Sequence, residues 1–314
     1  LTADAAVWSP RRLLVLAALT LVWGLNWPVM KAGVSGLPGE GAGGFAPLSF
    51  RVLSMWLGLP LLWLAVRATA TPLRVARADW PELAKLTLTN MVVWHVLAIV
   101  AIQALSSGRA AILGYTMPVF SALWGMALFG QRLAPRQALG VAAAAAGVAL
   151  LLWHELGHLA GRPWAAAAML TAAATWALGT QQLRRTTVAT PMLAIVFWMT
   201  LATTLVMSLA AVVFERGLWR LPGAVTWGAI VFNAVLIFGF AQPAWLFLAR
   251  LLPPAASTLS VMLIPVLGVA SGAWLLGERL FWQDFAAMLL MLLAIGSVLW
   301  PAAAPAPSAQ PPRA

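Results

Sequence analysis

The chain has 314 residues, of which 62% are hydrophobic and only 9% charged. A soluble domain carries about 25% charged residues, so this chain lacks the charge to cover itself with a solvated surface, and a bilayer removes that need. The absence of cysteine excludes disulfides, thiolate catalysis and cysteine-held metals. The net charge of +11 comes from bases in short loops, without a basic face of interleaved aromatics, which argues for membrane orientation and against nucleic acid.

Taken in chain order, apolar runs fall at 13–31, 47–66, 83–104, 109–130, 137–153, 164–182, 191–213, 225–249, 255–276 and 282–300. Each has about the length a helix needs to cross hydrocarbon at 1.5 Å per residue. The expected fold is an all-α membrane protein of ten transmembrane helices. The first run is too long for a cleaved signal and no small-residue cleavage site follows it. The Pro/Ala-rich stretch 301–314 reads as a disordered tail.

Loop charge gives the orientation. With the N-terminus cytoplasmic, the inner segments hold Arg11, Arg12, Arg67, Arg74, Arg77, Lys85, Arg132, Arg136, Arg184, Arg185, Arg250 and Arg313. The outer ones hold Lys31, Arg109, Arg162, Arg216, Arg220 and Arg279. The excess puts both termini inside, in a bacterial-type inner membrane. Of 18 tryptophans, most of those near span ends suit interfacial belts, among them Trp80, Trp164, Trp219 and Trp282.

The sequence repeats itself. Pro118–Trp153 aligns with Pro265–Trp300 at a constant offset, pairing Gly130 with Gly277, Arg132 with Arg279 and Leu133 with Leu280. Ser121 and Gly125 pair with Gly268 and Gly272, small-xxx-small steps that let helix backbones approach closely. His95 pairs with Gln242. An odd number of helices per unit inverts the second copy, an architecture of secondary transporters. The expected organisation is a cytoplasmic segment at 1–12, a five-helix repeat at 13–153, a link at 154–163, a second five-helix repeat at 164–300, and the tail.

These motifs resemble the drug/metabolite transporter superfamily of the EamA type. The first helix reads Trp23-Gly24-Leu25-Asn26-Trp27-Pro28-Val29-Met30-Lys31, and the fourth and ninth end in Gly130-Gln131-Arg132-Leu133 and Gly277-Glu278-Arg279-Leu280. Two positions depart from the family pattern: Gln131 replaces a glutamate, and Gly179 stands where the second copy's opening has an asparagine. The resemblance implies a ten-helix fold with a central cavity lined by helices 1, 3, 4, 6, 8 and 9. It also implies movement of a small metabolite, often export, by alternating access, with the aromatic and neutral amino-acid exporters as the nearest parallel.

Trp23, Asn26, Trp27 and Met30 recur at helical spacing on one face. An amide is costly against lipid, so this face points inward. It suits a cavity wall, and helix packing would use the same residues. His95 and Gln242 lie near mid-span, with Trp94 and Trp245 close by, and suit either a substrate site or interhelical hydrogen bonds. Tyr115 and Trp176 complete the expected substrate-binding set. Asn90 and Asn233 are secondary candidates. Pro118 and Pro265 free backbone carbonyls in mid-helix and suit gating hinges or fixed kinks. Arg51, near a helix start, is expected to snorkel to the outer interface. Glu278 is expected to be a solvated or capping residue. No acidic residue lies deep in a span, which favours facilitated or weakly coupled transport.

His154-Glu155-Leu156-Gly157-His158 spells the zinc-protease pattern and supports an intramembrane metalloprotease as an alternative. Gly157, Gly161 and Pro163 speak against a catalytic helix there, and a third ligand is missing. A channel is the other alternative, although no filter-like ring of charges or carbonyls is present. The preferred reading needs no cofactor and no metal. Its partners are a small-molecule substrate and lipid, and a monomer satisfies it.

Overall fold

In a computed structural model, residues 10–37, 44–132, 134–157, 163–248 and 254–299 are described. Side chains of 154–157, 246–248, 254–261, 298 and 299 lie outside that description, and with them the side chains of the zinc-like motif, as do the tail and most of the N-terminal segment. Among the described residues the chain is helical throughout, without strands.

Helices α1 (Pro10–Ser35) and α2 (Pro47–Ala68) are unbroken. The span Arg77–Ala104, here α3, changes to π-helical winding at Leu88–Val92. Helix α4 is two pieces, Ser107–Gly114 and Met117–Phe129. Then come α5 (Pro135–Gly157), α6 (Pro163–Leu183) and α7 (Met192–Glu215). Helix α8 runs as Ala224–Phe232, a π-helical stretch Asn233–Ala241, and Gln242–Leu248. Helices α9 (Pro254–Leu276) and α10 (Trp282–Leu299) close the chain.

Within the described residues, each apolar run of the sequence thus falls on helical segments. Among the described residues, seven stretches are long and apolar enough to cross a membrane: Pro10–Ser35, Pro47–Ala68, Arg77–Ala104, Ser107–Phe129, Pro135–Trp153, Met192–Leu218 and Ala224–Trp245. Met262–Leu276 and Trp282–Ser297 are shorter apolar helices. Helices win here because lipid offers no partner to backbone N–H and C=O groups, and a helix satisfies its own.

The outward surface is apolar, with exposed Leu14, Leu139, Leu209, Phe214, Trp274 and Leu293. The interior is close-packed around Trp27, Phe50, Met55, Ile99, Ile112 and Phe238. Glycines permit several of the closest approaches. A Cβ on Gly24 would lie 2.5 Å from Leu267 Cβ of α9, and one on Gly58 would lie 2.6 Å from Phe238 Cβ of α8.

The two prolines of the repeat motif behave differently. Helix α4 breaks at Tyr115–Thr116, so Pro118 sits in the first turn of the second piece, where its missing N–H costs nothing. Helix α9 runs continuously through Pro265. Other positions paired by the sequence offset share local geometry. Gly130 and Gly277 both end their helices in the left-handed region, at φ 63° and 62°.

Candidate substrate site

Hydrogen bonds tie the helices firmly at one end of the bundle. Glu278, just past α9, accepts from the Ser107 N–H at 2.6 Å, the Ser107 hydroxyl at 2.9 Å and the Gly108 N–H at 3.3 Å. It therefore caps the first turn of α4, whose N–H groups have no intrahelical partners. Capping was among the roles expected for Glu278, but its target is another helix. Glu215 does the same for α2, accepting from the N–H groups of Leu48 at 2.9 Å and Ser49 at 2.7 Å. Arg109 pairs with Asp284 at 2.8 Å, and Lys31 Nζ donates to the Gln103 carbonyl at 2.8 Å.

The other end is indented. A cleft of about 280 Å³ lies between α4 and α6, lined by Pro118, Ser121, Gln131, Trp176, Gln181 and Arg184 among others. A second cleft of about 650 Å³ is bordered by Arg11, Arg12, Val15, Phe240 and Pro243. Gln131 folds over Gly125 here much as Glu278 folds over Gly272 at the tied end. Ser121 accepts from Gln181 Nε2 through both its carbonyl and its hydroxyl, each at 2.8 Å. The second small-residue step packs against α4: a Cβ on Gly268 would lie 2.7 Å from Ala111 Cβ.

Between the ends, aromatic rings form a chain. Trp27 meets Tyr115 edge-on at 6.3 Å and Trp94 at 6.5 Å, and Trp94 meets Trp176 at 5.4 Å. Trp23 and Trp245 pair at 5.4 Å. Helices α1, α3, α4, α6 and α8 thus each contribute to aromatic contacts. Gln242, half-buried at the end of the π-helical stretch of α8, lies three residues before Trp245.

Polar side chains collect behind these rings. Asn26 Nδ2 donates to Met30 Sδ at 3.6 Å, and the same sulfur receives Arg51 Nη2. Arg51 Nη1 donates to Asn233 Oδ1 at 3.1 Å. His95 stacks at a tilt against Phe238, 5.9 Å between centroids. Among the described residues, Asn26 Oδ1, Arg51 Nε and both His95 nitrogens are buried without a hydrogen-bond partner. Arg51 is only 3% exposed, which overturns its expected snorkelling. The reason is packing: α1 and α8 enclose the first turns of α2, and Asn233 and Met30 take the guanidinium inward.

Asn90 serves a different purpose. It donates to the Trp176 carbonyl and to Thr180 Oγ1, both at 3.1 Å, and so ties α3 to α6. Gly179 explains its own departure from the family pattern. A Cβ there would lie 2.7 Å from the backbone nitrogen of Asn90, so an asparagine has no room. Glu215, Gln181 and Asp284 were not singled out from sequence, because polar residues near span ends look solvated until their partners are known. Among the described residues no group of side chains could hold a metal ion.

The whole chain has recognisable relatives. It is 29% identical over 294 residues to the uncharacterized inner membrane transporter YedA of Escherichia coli (strain K12), covering 91% of this chain and 92% of that protein. It is 26% identical over 297 residues to a "Probable amino-acid metabolite efflux pump" of the same strain, covering 90% and 92%. The uncharacterized transporter YoaV of Bacillus subtilis (strain 168) is 20% identical over 269 residues, covering 84% and 87%. A solved crystal structure shares the fold, with a TM-score of 0.62 at 19% identity, covering 92% of this chain and 96% of that one. The model of the EamA-like transporter family matches residues 11–153 and again 163–300. The chain is therefore a membrane transporter and belongs to the EamA-like transporter family.

Proposed function

We propose that this transporter moves small metabolites, amino acids foremost, across the inner membrane by alternating access between two inverted five-helix units. The double family match supports the tandem arrangement. So do the local equivalences: π-helical winding around Asn90 and from Asn233, left-handed Gly130 and Gly277, and Gln131 over Gly125 as Glu278 over Gly272. The remaining helices fill out ten spans in this reading. The amino-acid assignment draws on the amide and tryptophan lining and on the relative named as an amino-acid metabolite efflux pump.

The observation that carries the reading is the difference between the two ends, one tied by Glu278 and Arg109, the other indented by two clefts. Loop charge assigns the indented end to the cytoplasm and both termini with it. The molecule then stands inward-facing, with Trp23, Asn26, Trp27, His95, Tyr115, Trp176, Gln242 and Trp245 as the substrate wall. Pro118 and Pro265 act as hinges in this scheme, α4 broken and α9 continuous, and exchange of these forms would open the other side.

Asn26→Ala and Gln242→Ala test the wall. Each should cut flux into liposomes at least tenfold while leaving the melting temperature within a few degrees, since a side-chain amide contributes on the order of 1 kcal/mol to folding. Normal transport by both variants would refute the cavity map.

A further inference from the structure

The buried cluster around Met30 is rich in donors and poor in acceptors. Arg51 Nε and the His95 ring have no partner among the described residues, and Arg51 Nη2 and Asn26 Nδ2 have only a thioether sulfur. A thioether is a weak acceptor. No carboxylate of the described residues reaches Arg51, whose single oxygen partner is the neutral Asn233 amide. A guanidinium retained in a membrane interior without a counter-ion marks a place where a ligand supplies the charge.

We propose that Arg51 is the recognition site for a carboxylate on the transported molecule, resting on the carrier reading above. The planar guanidinium takes a carboxylate through two parallel N–H bonds, here Nε together with Nη2 once it leaves the Met30 sulfur. The neighbouring His95 ring supplies a further donor. Asn26 Oδ1, buried and unpartnered on the same cluster, accepts from an ammonium group and so favours an α-amino acid over a simple acid. The Trp27, Trp94 and Tyr115 rings beside it provide an apolar face for the rest of the molecule. Met30 then competes for the same donors, its flexible sulfur receiving both Asn26 and Arg51.

Purified protein in detergent, read by its tryptophan fluorescence, tests this with phenylalanine, phenylpyruvate and phenethylamine. Wild-type protein should bind both acids, phenylalanine the tighter, and phenethylamine weakly. Arg51→Gln keeps a donor for Asn233 but loses the charge. It should weaken both acids by ~10- to 100-fold, leave phenethylamine unchanged and melt no lower than wild type. Arg51→Lys should recover part of the affinity. Equal binding of the acids by wild type and Arg51→Gln, or a marked loss of melting temperature in Arg51→Gln, would make Arg51 structural and overturn the proposal. Binding of phenethylamine but of neither acid would overturn the anion site and leave the carrier standing. Binding of none of the three would remove the amino-acid reading with it.

Discussion

Glu278 closes over Ser107 across 171 residues of sequence, its carboxylate accepting both the Ser107 N–H and hydroxyl. The repeat offset places Gln131 at the position of Glu278 and Pro254 at that of Ser107. A glutamine carries no charge, and a proline has neither N–H nor hydroxyl. The two ends of the molecule therefore differ in what can latch them, and the Glu278 end has the stronger latch. Hydrogen bonds to a charged group contribute about 1.5–3 kcal/mol each. Glu278→Ala should shift the population toward opening at that end by about tenfold or more. Val269→Cys, a buried reporter that packs under Gly108, can read this in the otherwise cysteine-free chain. Its labelling by an impermeant maleimide added outside should accelerate at least tenfold on adding Glu278→Ala. An unchanged rate would deny the latch.

Gly272 is needed for the same contact. A Cβ there would lie 2.6 Å from Glu278 Oε2 and closer still to the Ser107 hydroxyl. Gly272→Ala should therefore reproduce the Glu278→Ala labelling phenotype. Gly217→Ala, which meets open space, serves as the control with no effect. Both can be scored with the same cysteine reporter.

Glu215 has a purely architectural place, capping α2 and also receiving the Ser49 hydroxyl at 2.7 Å. Glu215→Ala should lower stability by about 2 kcal/mol or more, because it strands two buried N–H groups. Thermal unfolding in detergent will show a lower midpoint, while the affinity of the folded fraction for substrate stays unchanged.

Orientation has its own test. Gly217→Cys and Thr187→Cys sit in exposed connections at opposite ends of α7. In intact cells an impermeant maleimide should label Gly217→Cys and spare Thr187→Cys until the membrane is permeabilised. The reverse pattern would place the termini outside and make the clefts face outward.

The helices were legible because the bilayer imposes them: a spanning helix needs about 20 apolar residues, and composition reveals such runs. The family was legible because its motifs are duplicated in order, the helix-end motif at a constant offset from Pro118–Trp153 to Pro265–Trp300 and the opening tryptophan at a slightly longer one. Arg51 was not, since an arginine one turn into a helix snorkels by default, and only the packing of α1 and α8 around it reverses that. The π-helical stretches at Leu88–Val92 and Asn233–Ala241 left no sequence signal either. They reflect a local exchange of backbone partners that depends on the neighbouring helices. Local pattern leaves Glu278 either solvated or capping, because an N-terminus 171 residues away is invisible to it.

Counterflow in liposomes tests the central claim most directly. Purified protein is reconstituted into vesicles loaded with unlabelled amino acids, and labelled phenylalanine and threonine are added outside, with and without a zinc chelator. The account predicts transient accumulation that saturates with external substrate and is indifferent to the chelator. Flux that rises linearly without saturation would indicate a channel, and failure to accumulate either substrate would contradict the amino-acid carrier.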